Sequence, residues 1–330
     1  MPKVSIIALI YNLEAYIPLC INSVLDQSFK DFELILINDG STDNSGCICE
    51  EYAKKDERIM VVHKSNDGIA AARNTGIAHA TGDYITFIDC DDYFHEQMVE
   101  ILYKHITSNN ADIAMCDYLP TEEGQEEKRK NVILDYSVTT NTHIQALNGL
   151  YEKTHTYVVP WNKLYKKGLF KDVKYPSGYL YDDEFTAHRL LYETNKIVYV
   201  HAPLYFYVIR NGSTTHSPMT AKKFDKIIAL HDRADFFREK NLHNLEEKAL
   251  LDFTEYFFWY YLQSQIELPQ AHDKRAEIKS IYNKLFLRIV RNPLTNKKKK
   301  IVFSVFRLSP DIHRLLIKGW RKKPNEVVRR

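Results

Sequence analysis

Three carboxylates fall within four positions, Asp89, Asp91 and Asp92, directly after a short apolar run rich in aromatic and β-branched residues, Tyr84 to Ile88. A run of that kind, bounded in front by Thr81-Gly82, predicts a buried strand with the acids at its carboxyl end. In an open α/β sheet that end is where ligands bind. Like charges packed so densely repel unless a cation shares the site. Hard oxygen ligands suit Mg²⁺ or Mn²⁺, which would bring a phosphorylated ligand with it. The same acids would also suit a solvated turn that caps the next helix, since Asp is a favoured N-cap.

Three other turn-rich stretches end apolar runs in the same way: Leu9-Ile10-Tyr11-Asn12, Asn38-Asp39-Gly40-Ser41 and Asn66-Asp67-Gly68. A parallel sheet would set all four tips along one edge, forming a groove suited to a nucleotide. Tyr11 can stack on a base, Asp39 can accept from a ring N–H, and a metal at Asp91 can hold a diphosphate. No Gly-x-Gly-x-x-Gly or Gly-x4-Gly-Lys-Ser/Thr is present, which disfavours dinucleotide dehydrogenases and P-loop NTPases.

The elements that must position these tips alternate. Apolar runs at Val4 to Ile10, Phe32 to Ile37, Ile59 to His63, Tyr84 to Ile88 and Ala111 to Cys116 predict strands. Between them, Ile17, Cys20, Ile21, Val24 and Leu25 have helical spacing, and a helix follows Asp43 or Ser45 through Tyr52. A small-residue helix follows from Ile69 to Ala80, and an amphipathic one from Glu96 to Thr107. This rhythm predicts an α/β fold with a mostly parallel sheet flanked by helices. Pro120 to Asn131 reads as a charged loop. Beyond Asn141 the pattern turns helical and irregular, with a strand at Ile197 to Val200 and long helices over Ala221 to Gln265. The dense aromatics from Phe253 to Tyr261 suit either a helix buried on several sides or an interaction surface.

The chain has 330 residues and a net charge of +2, with an ordinary 45% hydrophobic and 27% charged composition. From Arg291 to Arg330, thirteen Lys and Arg stand against two acids. That basic stretch interleaves Ile301 to Phe306, Ile312, Leu315, Leu316 and Trp320 with cations, which suits an anionic membrane surface. A solvated tail or a nucleic-acid contact would explain it too. No run reaches the roughly 18 apolar residues of a membrane span. The start, Met1-Pro2-Lys3, leads straight into a strand pattern, which predicts a cytosolic protein or one peripheral on the inner face of the membrane. Cys20, Cys47, Cys49, Cys90 and Cys116 have neither disulfide-framework nor zinc spacing, and His188, His201 and His216 have no metal spacing.

Val4-Ser-Ile-Ile-Ala-Leu-Ile-Tyr-Asn12, Asn38-Asp-Gly-Ser-Thr-Asp43, Ala72-Arg-Asn-Thr-Gly76 and Asp89-Cys-Asp-Asp92 together resemble family 2 glycosyltransferases of the GT-A fold, in order and spacing over roughly the first 120 residues. The resemblance implies a UDP-sugar donor. Leu9, Tyr11 and Asp39 would cradle the base, Arg73 would lie near the donor, and Asp89-Cys90-Asp91 would engage ribose and metal-bound diphosphate. Asn66 and Gly68 join the donor set from the third tip. Leu9 stands where many members carry Pro.

Trp161-Asn-Lys-Leu-Tyr-Lys166, Tyr181-Asp-Asp-Glu-Phe185 and Tyr207-x-x-Arg210-x-x-Ser213 extend the match to similar bacterial enzymes. There an acidic pair supplies the base that takes a proton from the acceptor hydroxyl. By position Asp183 takes that role, with Asp182 and Glu184 beside it, and Asp182 replaces the usual Glu. These acids would equally suit a helix N-terminus. Arg210 would pair with phosphate, and Trp161 would belong to the core or line the acceptor pocket.

The expected organisation is a glycosyltransferase domain over 1–217 (donor half about 1–120, acceptor half about 121–217), a helical region over 218–290 and a basic amphipathic tail over 291–330. The implied function is inverting, metal-dependent transfer to a glycan acceptor, lipid-linked, in capsule, exopolysaccharide or O-antigen synthesis. A sugar nucleotidyltransferase and an inactive nucleotide-sugar-binding protein are the competing readings.

Overall fold

A computed structural model describes residues 1–125, 132, 134–152, 154–210, 218–310 and 312. Ser213, His216, residues 126–131 of the charged segment, and the tail from 313 onward with Leu315, Leu316 and Trp320 lie outside the described residues. The chain forms two compact units, Met1–Gly178 with Thr186–His216, and Tyr179–Phe185 with Ser217–Arg330.

The first unit is built on a nine-stranded sheet. Strand β1 (Val4–Ile10) is buried along its whole length, as a continuous apolar run between two helical layers must be. It lies between β2 (Phe32–Asp39) and β4 (Tyr84–Asp89), with β3 (Ile59–Lys64) outside β2, all parallel. Helices α1 (Ile17–Leu25), α2 (Ser45–Ala53) and α3 (Ile69–His79) make the crossovers. Pro18 sits in the first turn of α1, where its missing N–H costs nothing. At α2 the Asp43 carboxylate accepts from the Ser45 N–H at 3.0 Å. The small residues of α3 have a physical reason: a Cβ on Gly76 would stand 2.3 Å from Ile7 Cγ2.

Past β4 the sheet becomes mixed. A two-residue strand, β5 (Tyr93–Phe94), precedes α4 (Met98–Ser108) and β6 (Ile113–Glu122). Then come β7 (Val138–Asn141), α5 (His143–Glu152), α6 (Thr154–Val158), β8 (Lys163–Lys166) and, after α7 (Asp182–Tyr192), β9 (Ile197–Ile209). The order is β3-β2-β1-β4-β8-β6-β9-β5, with β7 also on β9. The mostly parallel arrangement expected from the sequence holds for the first four strands and for β6 with β9. Strand β8 runs antiparallel to both its neighbours, as do β5 and β7 to β9.

Two strand lengths differ from the sequence pattern. Strand β6 runs on through Pro120 to Glu122, and β9 continues nine residues beyond Val200. Pro203 breaks the strand pattern in sequence. In the sheet it faces Asp117 at a register irregularity, a place where a residue without an N–H is tolerated.

The second unit holds the first turn of α7 together with α8 (Asp225–Glu239), α9 (His243–Glu267), α10 (His272–Arg291) and α11 (Lys297–Leu308). The aromatics of α9 are core. Phe257 stacks on Tyr282 at 4.7 Å between ring centroids and Phe258 on Phe303 at 5.0 Å, while Phe306 sets its edge against both Phe257 and Phe258. Helix α11, expected only as part of an amphipathic tail, therefore delivers Phe303 and Phe306 to this core. Asn296 caps it by accepting from the Lys299 N–H at 2.8 Å.

Candidate active site

Register brings the four tips into one row. Asp39 pairs with Lys64 at the ends of β2 and β3, Ile10 with Asn38 at the ends of β1 and β2, and Leu9 with Asp89 at the ends of β1 and β4. Adjacent strands lie about 4.8 Å apart, so the row from β3 to β4 spans about 14 Å. The tips are laced together. Asn12, in the left-handed region at φ +53°, donates its N–H to Ser41 Oγ at 3.0 Å and accepts from the Thr42 N–H at 2.8 Å. Glu14 accepts from the Asn44 N–H at 2.9 Å. Gly40, at φ +73°, lets the second tip close on the third, since a Cβ there would stand 2.8 Å from the Asn66 nitrogen. Of the lacing residues, Asn12 was visible in sequence only as part of a motif and Glu14 not at all, because their partners lie about 30 residues away.

Asp39 works within this row. It is 5% exposed, and its carboxylate accepts from Lys64 Nζ at 2.6 Å, the Asp67 N–H at 3.2 Å and the Gly68 N–H at 3.0 Å. A carboxylate offers about four lone-pair sites. Three are engaged in holding the third tip, which leaves one for a ligand N–H. Tyr11 is 48% exposed beside it, and Asn66 and Gly68 are exposed as well.

At the other end of the row the three acids separate by environment. Asp92 is buried; its carboxyl accepts from the Tyr205 O–H at 2.6 Å and the Val208 N–H at 2.7 Å, both on β9. Burial, then the charges of Asp91 and Asp89, hold its pKa well above the ordinary carboxylate range. Asp92 is therefore a tether for β9, a part the sequence could not assign. Asp89 and Asp91 keep partial exposure. Two residues past Val208, Arg210 turns back and donates Nε to Asp91 Oδ2 at 2.7 Å. Its guanidinium lies 5.1 Å from the centre of the Tyr16 ring, whose hydroxyl donates to Glu123.

Other expected donor or acceptor residues are buried. Cys90 has no exposed surface and sits with its thiol 3.6 Å from that of Cys20, so only its backbone can face a ligand. In the turn that follows β4, closed by the Asp92 N–H on the Asp89 carbonyl oxygen at 2.9 Å, Cys90 faces inward while Asp89 and Asp91 stay partly exposed. Leu9 is 7% exposed and presents mainly its backbone too. Arg73 is 2% exposed, its guanidinium over Tyr175 at 4.7 Å and Phe87 at 5.6 Å. Trp161, read as core or pocket wall, is packed in the core: it stacks on Tyr205 at 4.1 Å and is 4% exposed.

In the second unit Asp182, Asp183 and Glu184 open α7, the favoured place for acids at a helix N-terminus. Asp182 is 4% exposed and Asp183 half-buried, with the Asp183 Oδ1 accepting from the Glu184 N–H at 2.8 Å. Glu184 is buried and bound by Lys226 and Arg233, so it is engaged within the unit and not open to an acceptor. Burial alone would raise its pKa, but the two cations outweigh it and bring it down to about 2.

The model for "Glycosyl transferase family 2" matches residues 5–174, more than half the chain. The chain belongs to glycosyltransferase family 2. The glycosyltransferase GlyG of Streptococcus pneumoniae serotype 4 (strain TIGR4) is 36% identical over 217 residues, covering 64% of this chain and 72% of GlyG. The glycosyltransferase GlyA of the same strain is 36% identical over 216 residues, covering 64% of this chain and 31% of GlyA. The chain thus spans about a third of GlyA's length. The crystal structure of S. aureus TarS 1-349 in complex with UDP-GlcNAc superposes with a TM-score of 0.74 at 20% identity, covering 97% of this chain and 91% of that one. That likeness shows the fold, which is GT-A-like: a mixed sheet flanked by helices, followed by further helices.

A family 2 glycosyltransferase of this fold implies a divalent metal at the acidic tip. Among the described residues no three His, Cys, Asp or Glu side chains gather as a cage. Asp89 and Asp91 remain as partly exposed carboxylates. Mg²⁺-type sites ordinarily take one or two carboxylates with the substrate's phosphates and water. The residues present fit a metal that arrives with a diphosphate.

Proposed function

We propose that this glycosyltransferase moves a sugar from a UDP-sugar to a hydroxyl of a glycan acceptor, lipid-linked, in the synthesis of a surface polysaccharide such as a capsule, exopolysaccharide or O-antigen, with inversion at the anomeric carbon. The observation that carries the donor half is the tip row ending in the Asp91–Arg210 pair. A partly exposed carboxylate just past β4 and a partly exposed guanidinium just past β9 are the two charges a metal-bound diphosphate would draw apart. Tyr11 would stack on the base and Asp39 would use its one remaining lone-pair site for the ring N–H. Asp91, with Asp89, would hold Mg²⁺ or Mn²⁺, whose charge eases departure of the diphosphate. Arg210 would turn to the phosphates.

Asp183 would take the proton as the acceptor oxygen bonds to the anomeric carbon and the bond to the diphosphate breaks. Attack from the opposite face converts an α-linked donor into a β-linkage. This role rests on the match of Tyr181-Asp-Asp-Glu-Phe185 to the family motif.

The basic C-terminal stretch supports a place on the inner face of the membrane. No helix among the described residues is long and apolar enough to cross a membrane. Ile301 and Leu308 on α11 are exposed, as are Lys297 and Lys298 and, past the end of the helix, Ile312. Each such cation near anionic lipid contributes about 1 kcal/mol.

The test is release of UDP from a panel of UDP-sugars with Mn²⁺, alongside transfer of labelled sugar to a lipid extract and binding to anionic vesicles. Turnover that needs the metal and is lost in both Asp91→Asn and Asp183→Asn supports the reading. Full turnover by either variant removes that residue from its role.

A further inference from the structure

Asp183 lies on a segment of seven residues, Tyr179–Phe185, that forms a compact unit with the C-terminal helices. The residues around it are tied to α8 and α9. The Leu180 N–H donates to Asp225 Oδ2 at 2.9 Å, and the hydroxyls of Tyr181 and Tyr260 meet at 3.1 Å. Tyr181 adopts φ +65°, a left-handed conformation that costs energy for a bulky side chain and is held by its surroundings. Lys226 Nζ sits 5.5 Å from the centre of its ring. Lys226 also binds one oxygen of Glu184 and Arg233 the other, and Arg233 donates again to the Glu184 carbonyl oxygen at 3.0 Å.

These cations are deep. Arg233 has no exposed surface and Lys226 is 8% exposed. Apolar side chains of the same size would often fill such a place with no loss of stability, so burying two cations on one acid asks for a further reason. The geometry offers one. The carbonyl and both carboxylate oxygens of Glu184 are fixed, which sets the position and rotation of the first turn of α7. A general base one residue away gains from that, because a reacting group displaced by about 1 Å can cost 100-fold in rate.

We propose that Lys226 and Arg233 are positioning residues for Asp183, so that the C-terminal helical unit is a mount for the base-bearing turn. This rests on the reading of Asp183 as the base. Neither cation is a catalytic residue: both act through Glu184. Such a mount would explain why the chain continues past its sheet into a helical unit whose buried charges face one short acidic segment.

The test uses the full chain with Lys226→Met and Arg233→Met, and with the conservative Lys226→Arg and Arg233→Lys in case the first pair fold poorly. Three readouts are taken on each: UDP affinity with Mn²⁺, kcat and KM with the UDP-sugar that the wild type turns over, and hydrogen exchange of the peptide covering 179–185. The expected result is a kcat lower by about 100-fold at unchanged UDP affinity. Exchange over 179–185 should be about tenfold faster, while β1 to β4 stay protected. The conservative variants should recover part of the rate. In an Asp183→Asn background, Lys226→Met should add no further loss, the signature of a residue acting through Asp183.

Wild-type kcat in Lys226→Met, or a loss of UDP affinity in step with kcat, overturns the proposal. Undiminished turnover in Asp183→Asn instead overturns the reading of the base, and the exchange of 179–185 still reports whether the two cations hold that segment.

Discussion

Arg210 Nε and Asp91 Oδ2 lie 2.7 Å apart, at the end of a strand anchored by the next acid along, Asp92. Only Ile209 separates the anchored Val208 from the arginine, so Asp92 decides where Arg210 can reach. Both partners keep about a fifth of their side-chain surface in contact with solvent, at 19% and 20%. A pair of that exposure holds by no more than about 1 kcal/mol. It is weak enough for a diphosphate and a divalent ion to separate.

That balance makes Arg210→Met informative. Without the guanidinium, Asp91 is freed and Mn²⁺ binding in the absence of nucleotide should tighten by up to about fivefold. The KM for the donor should rise, because the phosphates lose their cation. Calorimetry with Mn²⁺ alone and steady-state kinetics separate the two effects. Unchanged values in both would mean that the pair is a surface contact only.

Asp39→Asn tests the row at its other end. The amide cannot accept on both arms, so either the ties of Lys64 and the Asp67 N–H to Oδ1 or the tie of the Gly68 N–H to Oδ2 is lost. Losing a hydrogen bond to a charged group costs about 1.5–3 kcal/mol. Chemical denaturation should show that loss, and UDP affinity should drop by about tenfold, equivalent to about 1.4 kcal/mol.

The strands β1 to β4 were legible because each is a continuous apolar run whose partners are other runs of the same kind. Their turn residues were legible too: Asn38-Asp39-Gly40 and Asn66-Asp67-Gly68 announce tips by residue type. What the sequence withheld is pairing over distance. Nothing near Asp92 names Val208, and nothing near Glu184 names Lys226 or Arg233, 42 and 49 positions away. Strand β9 beyond Val200 was hidden by Pro203, which is tolerated only because the partner strand shifts register there. Trp161 and Cys90 carried the right motif but not its direction: one ring and one thiol turn into the core.

Gly76 lets α3 pack close on the sheet, and the geometry there puts a number on how close. A Cβ there would stand 2.3 Å from Ile7 Cγ2, in the middle of the parallel sheet. Gly76→Ala should destabilise the protein by about 1–3 kcal/mol through overpacking. Gly168→Ala, with nothing within 4 Å of the new Cβ, is the control and should be near neutral. Denaturant midpoints compare the two directly.

The buried charges of the helical unit predict a pH effect. Asp252 on α9 keeps some surface as a residue, yet burial pushes its carboxyl up to about 6, with Arg233 and Lys226 pulling the other way. In the unfolded chain an Asp titrates near 3.9, so between about pH 4 and pH 6 the folded protein holds a proton that the unfolded chain has released. Stability from this group therefore falls as pH rises through that window. Glu184, depressed to about 2, acts in the opposite sense and only below about pH 4.3. Asp252→Asn should remove the slope, and its Tm relative to wild type should climb from pH 4 to pH 6. A constant difference across that range would contradict the assignment.

The most direct test of the donor site is calorimetric titration of UDP into the wild type and Asp91→Asn, each with Mn²⁺ and with chelator. The account predicts wild-type binding that depends on Mn²⁺, and an Asp91→Asn affinity at least about tenfold weaker, no longer improved by the metal. Equal affinity in all four titrations, or no binding of UDP to the wild type, would contradict it.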